Sequence, residues 1–265
     1  MVGSAYDDHL TGNSADNQLQ GAEGADVLSG GDGIDTLMGG DGDDVLNGGA
    51  GDDVVIADAG ADTIIGGSGI DTVSYATSTS GVIARLDGGP GTGGLAQGDV
   101  LSDVEIIIGS NFADTLIGDG SDSQLSGGAG NDVLYGRGGS DTLAGGGGYD
   151  IAAYGGVRRG YTWTASSHQV SGGLDGGTDT LSGIEVLSFI DGQLSFHRDG
   201  MAAQVMRLYD SAFNRVPDAG GFEIVLDALE GGCAWRPCRR SSSTRSSSRT
   251  PMAACRTSSL SSRCI

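Results

Sequence analysis

A nine-residue period fills the first part of the chain and limits what it can fold into. Gly30–Met38 reads Gly-Gly-Asp-Gly-Ile-Asp-Thr-Leu-Met. Gly39–Asn47 follows as Gly-Gly-Asp-Gly-Asp-Asp-Val-Leu-Asn, and Gly48–Ile56 as Gly-Gly-Ala-Gly-Asp-Asp-Val-Val-Ile. After one degenerate unit, Gly66–Ser74 repeats the pattern. The consensus is GGxGxDxUx, where U is a large aliphatic residue. Eight such nonads run in unbroken register over residues 3–74, with Leu10, Leu19, Leu28, Leu37, Leu46, Val55, Ile64 and Val73 at position eight. A short fixed period of this kind specifies a stack of small units, each unable to bury its apolar residue alone.

The nine positions divide into a six-residue turn and a three-residue strand. Glycine at positions one, two and four permits positive φ and close backbone approach. The aliphatic residue at position eight points inward from its strand while its neighbours point outward. The Asp at position six lies on a turn whose glycine-rich backbone exposes carbonyls. Carboxylate and carbonyl oxygens are the donors that a hard cation such as Ca²⁺ takes. A disordered acidic linker is the competing reading, but disorder does not require an aliphatic residue at every ninth position.

This pattern closely resembles the RTX (repeats-in-toxin) family. The resemblance implies an all-β fold, a right-handed parallel β-roll with two nonads per coil and several Ca²⁺ ions between stacked turns. Turns eighteen residues apart then share a side. One side carries Asn17, Asp35, Asp53 and Asp71, and the other Asp8, Asp26, Asp44 and Asp62. The metal-site residues implied on the first side are Gly31, Gly33, Asp35, Gly49, Gly51, Asp53, Gly67, Gly69 and Asp71. On the second they are Asp26, Gly40, Gly42, Asp44 and Asp62. The turn Ala57–Asp62 lacks the leading glycine pair and reads as the weaker one.

Residues 75–108 break the register. Val82–Leu86 and Asp99–Ile108 read as strand regions around a glycine-rich loop, Asp87–Gly94. A structural insertion continuing the roll is the favoured reading, and a separate binding loop the alternative. Five further nonads occupy residues 109–153. Their candidate metal residues are Asp114, Gly128, Gly130, Asp132, Asp141 and Asp150. Asp132 is expected to pair with Asp150, while Phe112 replaces a glycine in the turn of Asp114 and Ser123 is a poor ligand in its slot. Asp119 and Asp122 are the residues placed to compensate.

Residues 154–199 read as a β capping region that includes a hairpin over Tyr161–Thr164 and Gln169–Ser171. Asp99–Ile107 and Asp179–Leu187 share Asp-x-Leu-Ser-x-(Val/Ile)-Glu, so each is expected to stack on the end of a nonad block. Their Glu105 and Glu185 read first as solvated structural residues, with support of a turn or cation as the alternative. Residues 200–230 take helical spacing, and Ala203–Phe213 with Arg215–Gly221 resembles the opening of the helical family DUF4214. That resemblance implies a short, partial helical segment. Residues 231–265 form a basic Ser/Arg/Cys tail without Asp or Glu, read as disordered or frame-shifted. Its four cysteines lack metal-ligand spacing.

Before Gly231, seven arginines and no lysine stand against all 35 acidic residues. Such a surface disfavours nucleic acid and anionic membranes and favours cations. No stretch is long and apolar enough for a membrane span, and the start has no N-terminal signal peptide pattern. The three histidines are isolated, and neither HExxH nor GxSxG occurs. The chain therefore reads as a non-enzyme. The RTX resemblance implies an extracellular protein of Gram-negative bacteria, exported by a type I secretion apparatus and folding on Ca²⁺. Two other readings stand beside it: the C-terminal scaffold of a larger secreted enzyme or toxin, and an adhesin or surface-layer component with a glycan or cell-surface partner.

Overall fold

The computed structural model describes residues 1–195. The helical segment over 200–230, the basic tail with its cysteines, and His197 lie outside the described residues. Within them the protein is an all-β parallel roll, with two short 3₁₀ turns at Gly94–Ala96 and Arg158–Gly160 and no α-helix.

The coil repeat is eighteen residues, two nonads. Strands Val27–Asp32, Val45–Ala50 and Thr63–Ser68 pair in parallel, with Leu28 opposite Leu46 and Leu46 opposite Ile64. His9–Thr11 precedes them at the edge and Val100–Ser102 follows Thr63–Ser68, giving a five-stranded sheet. The alternate nonads build a second sheet of ten strands. It runs from Gln18–Glu23 through Thr36–Asp41, Val54–Ile56 and Thr72–Ser74 to Ile106–Ile108, Gln124–Ala129, Thr142–Gly147 and Thr178–Ser182, all in parallel. A third sheet begins at Ile83–Arg85 and continues through Thr115–Ile117, Val133–Tyr135, Ile151–Ala153 and Val186–Phe189. It alternates with the long sheet beyond the insertion, as the five-stranded sheet does before it.

The insertion thus joins the two repeat regions without interrupting the long sheet. Ile107 lies opposite Val73 on one side and Leu125 on the other. The chain starts the third sheet at Ile83–Arg85, then returns through Val100–Ser102 to finish the five-stranded one. Asp87 anchors the intervening loop by ion pairs at 2.6 Å to Arg85 and to Arg137 in the later repeats.

Core formation follows the position-eight residues. Leu28, Leu37, Leu46, Ile64 and Val73 are fully buried, as are Leu116, Leu134 and Leu143. Leu10, in the edge strand, is only partly covered. One departure from the sequence reading concerns strand length. Strands of six residues occur where the next turn opens with Gly-Gly or Gly-Ala, as at Val45–Ala50 and Gln18–Glu23. They shrink to three where it opens otherwise, as at Val54–Ile56 before Ala57-Asp58 and Val133–Tyr135 before Gly136-Arg137. The Gly-Gly or Gly-Ala opening therefore extends the ladder, with Gly31 in register with Gly49, Gly49 with Gly67 and Ala22 with Gly40.

The far end changes direction. The hairpin Tyr161–Thr164 and Gln169–Gly172 pairs antiparallel and adds to Thr178–Ser182, while Gly192–Ser195 pairs antiparallel with Val186–Phe189. Tyr154, Tyr161 and Phe189 cluster beneath this cap, with ring centroids 5.0–5.5 Å apart.

Because each coil contributes one aliphatic side chain per sheet, a single truncation opens a cavity that neighbours cannot fill. Leu46→Ala is expected to destabilise the Ca²⁺-loaded protein by about 2–5 kcal/mol in urea denaturation. A change below about 1 kcal/mol would show that the stack is not the core.

Candidate metal centre

The position-six Asp residues form two ladders, one on each side of the roll. On the first side the Asn17 N–H donates to Asp35 Oδ1 at 2.7 Å, Asp35 to Asp53 at 2.7 Å and Asp53 to Asp71 at 2.8 Å. On the second the donors and acceptors are Asp8 to Asp26 at 2.7 Å, Asp26 to Asp44 at 2.7 Å and Asp44 to Asp62 at 3.0 Å. The later repeats continue the arrangement from Asp114 to Asp132, Asp132 to Asp150 and Ser123 to Asp141, all at 2.8–2.9 Å. Each carboxylate thus caps the backbone of the turn before it.

Where the nonads stop, the shared Asp-x-Leu-Ser-x-(Val/Ile)-Glu motif completes both ladders. Asp62 N–H donates to Asp99 Oδ1 and Asp71 N–H to Glu105 Oε2; Asp141 N–H donates to Asp179 Oδ1 and Asp150 N–H to Glu185 Oε2. Glu105 and Glu185 are half-buried. They support a turn, and the solvated role first read from the sequence gives way because the last amide of each ladder would otherwise have no acceptor.

Space and φ explain the glycines separately. A Cβ on Gly30 would lie 2.1 Å from Asp35 Oδ2 and 2.5 Å from Gly48 O, so position one is glycine because the carboxylate folds back over it. Position two needs the left-handed region: Gly31, Gly40, Gly49 and Gly67 have φ of 111–116°. Ala22 holds the same position at φ 100°, a backbone strain of about 1–3 kcal/mol.

The ladders use only one oxygen of each carboxylate. Oδ2 of Asp26, Asp35, Asp44, Asp53, Asp62, Asp71, Asp132, Asp141 and Asp150 is buried without a hydrogen-bond partner. Burying an anionic oxygen without compensation is costly. Accordingly, burial foremost pushes up the carboxyls of Asp44, Asp53 and Asp150. It raises Asp71 and Asp132 to about 6 and Asp62 and Asp141 to about 7, with neighbouring carboxylates acting in the same direction. Asp99 is lifted to about 6 by burial. These sites need a proton or a cation. Unpaired carboxylate oxygens beside glycine carbonyls are a donor set for a hard cation that prefers oxygen.

The structure brings Asp35, Asp53 and Asp71 together on one side and Asp26, Asp44 and Asp62 on the other, with Asp132 next to Asp150. Gly33, Gly42, Gly51, Gly69, Gly128 and Gly130 all take the positive φ of the turns. Asp114 differs. Its Oδ1 accepts from Val82 N–H and Ser110 Oγ, and its Oδ2 from Ser110 N–H, so neither oxygen is left over. Beside Asp141 the missing carboxylate at Ser123 is not replaced: Asp119 accepts from Ser121 N–H and Asp122 from Ser140 N–H. Sequence reading missed Asp58. Its Oδ2 accepts from Gly40 N–H at 2.7 Å, its Oδ1 is buried and unpaired, and burial lifts its carboxyl to about 7. An Asp in a slot that should hold glycine was the available signal.

Fold and turns together define a calcium-binding parallel β-roll. The family model for the RTX calcium-binding nonapeptide repeat (4 copies) matches residues 2–37, 38–73 and 117–152, and Ca²⁺ is the cofactor of these repeats. No curated protein matches the chain. The matched stretches carry every Asp whose Oδ2 is buried and unpaired.

A carboxyl raised on folding favours the folded state while protonated. That stability is fully present below the unfolded value near 4 and is lost as pH rises through 6–7. In chelator the urea midpoint is therefore expected to fall steadily from pH 5.5 to 8. Saturating Ca²⁺ should abolish that fall by occupying the ionised carboxylates. A chelated protein equally stable across this range would contradict the assignment.

Proposed function

We propose that the protein is a secreted calcium-binding module whose roll folds when Ca²⁺ is met outside the cell. The metal sites are formed by the turns holding Asp35, Asp53 and Asp71, by those holding Asp26, Asp44 and Asp62, and by Asp132, Asp141 and Asp150 with their turn carbonyls. The observation that carries this reading is the row of buried, unpaired Oδ2 atoms at Asp26, Asp35, Asp44, Asp53, Asp62 and Asp71, and again at Asp132, Asp141 and Asp150. At neutral pH in a compartment poor in Ca²⁺, those carboxylates oppose folding. An unfolded acidic chain is compatible with passage through a type I secretion channel. At millimolar Ca²⁺, affinities of ~10⁻⁴–10⁻³ M suffice for occupancy. Each ion that binds only the folded state then adds about 1 kcal/mol, and several together outweigh a marginal deficit.

The module is not itself catalytic in this reading. Its repeated Asp residues are committed through Oδ1 to backbone amides, a structural duty that explains their number without an acid–base pair. Far-UV circular dichroism of the full chain during a Ca²⁺ titration at pH 7.5 tests the proposal. A coil-to-β transition near millimolar Ca²⁺, absent with Mg²⁺, is expected. A spectrum already β-rich in chelator and insensitive to Ca²⁺ would refute the folding switch.

A further inference from the structure

The turn Ala57–Asp62 reads as weak from the nonad pattern, yet with Asp44 of the preceding coil it forms a close group of three carboxylates. Asp44, Asp58 and Asp62 each offer one oxygen, and these three atoms lie within 4.8 Å of one another. Ca²⁺ binds oxygens at roughly 2.3–2.6 Å, so two ligands across the ion stand up to about 5 Å apart, and the group has the span of a single-ion site. Asp44 and Asp62 are each only 1% exposed. Their Oδ2 atoms and Oδ1 of Asp58 are all buried without a partner.

The remaining oxygens are fixed by backbone amides. Asp44 Oδ1 accepts from Asp26, Asp62 Oδ1 from Asp44 and Asp58 Oδ2 from Gly40. The free oxygens are therefore pre-positioned, and binding need not order them. The charges that reach Asp58, from Asp44, Asp99 and Asp41, are all negative, as are those that reach Asp62 from Asp99, Asp58 and Asp44. Asp58 occupies position two, where neighbouring turns have a glycine, and does so without a positive φ. It thus supplies a side-chain carboxylate at a place where the regular turn has only backbone.

We propose that Asp58 adds its carboxylate to the site between the turns of Asp44 and Asp62, making a three-carboxylate site for one Ca²⁺-sized divalent cation, the tightest in the roll and the first to fill. This rests on the reading of the protein as a calcium-binding module and adds an order of filling to it. Affinity for Ca²⁺ rises with ligand charge, and this group brings three carboxylates where a regular pair of turns brings two. Filling it would fix the degenerate turn and, through the Asp62 amide on Asp99, the strand Val100–Ser102 that ends the five-stranded sheet.

The test is calorimetric titration of the chelator-stripped full chain with Ca²⁺, comparing wild type, Asp58→Asn and Asp58→Gly. Glu23→Gln, which removes an exposed carboxylate from a neighbouring turn, is the control. Asparagine keeps an acceptor for Gly40 N–H and removes only the charge. Wild type is expected to show one ion binding ahead of the others. Both Asp58 variants should weaken that first ion by about tenfold or more and leave the later ions and the Glu23→Gln profile unchanged. Amide NMR of the wild type needs no variant: Gly40 and Asp62 should shift within the first equivalent of Ca²⁺, ahead of Asp53 and Asp132. A first ion of unaltered affinity in Asp58→Asn, or simultaneous shifts of all four amides, would overturn the proposal while leaving the calcium module standing. A wild type that binds no Ca²⁺ would overturn both.

Discussion

At nine position-six Asp residues, from Asp26 to Asp71 and at Asp132, Asp141 and Asp150, one carboxylate oxygen accepts the amide of the turn before it and the other is buried with no partner. The first contact sets the stacking distance and register; the second makes the stack unstable until its charge is balanced. The rest of the fold accommodates this arrangement. Position-one glycines leave room for the carboxylate, position-two glycines supply the φ that lets the ladder run on into the turn, and the aliphatic residue eighteen positions along closes the core beneath. Stability of the coil and affinity for the cation are therefore the same property, read from two sides.

The two copies of Asp-x-Leu-Ser-x-(Val/Ile)-Glu show how such a stack can stop. A ladder of amides on carboxylates leaves its last amides without acceptors, and Asp99 with Glu105, then Asp179 with Glu185, take those positions. After the first copy the long sheet simply continues. After the second, antiparallel strands and the Tyr154–Tyr161–Phe189 cluster cover the end. Exposed strand edges invite pairing with another chain, and short edge strands limit that; the outer strands here are only four residues long.

Much of this was legible in the sequence because a period of nine is a strong constraint. The position-eight residues were identifiable as core, the eighteen-residue pairing of Asp35 with Asp53 and of Asp132 with Asp150 followed from two nonads per coil, and the hairpin around Gln169 was marked by its alternation. What escaped depends on contacts between distant coils. That the insertion backtracks to finish one sheet and start another is set by partners thirty or more residues away, such as Val82 on Asp114. Glu105 and Glu185 looked like surface residues because their acceptor role exists only once the preceding turn is stacked beneath them. The missing glycine pair makes the turn Ala57–Asp62 read as the weaker one, although the same break puts Asp58 beside Asp44 and Asp62. Asp114 fills the consensus Asp slot of a turn that lacks two of its glycines, and both its oxygens are taken up by Ser110 and Val82.

The central claim is that a cation, by balancing the buried Oδ2 atoms, holds together the amide–carboxylate ladders. Hydrogen exchange at the amides of Asp26, Asp35, Asp44 and Asp53, measured at pH 7.5 in chelator and in saturating Ca²⁺, tests it at the bonds concerned. The account predicts rapid exchange in chelator and protection increased by several orders of magnitude in Ca²⁺, lost together across both ladders when the ion is removed. Equal protection of these amides in the two conditions would mean that the ladders stand without the ion, and that the unpaired carboxylates are not what calcium stabilises.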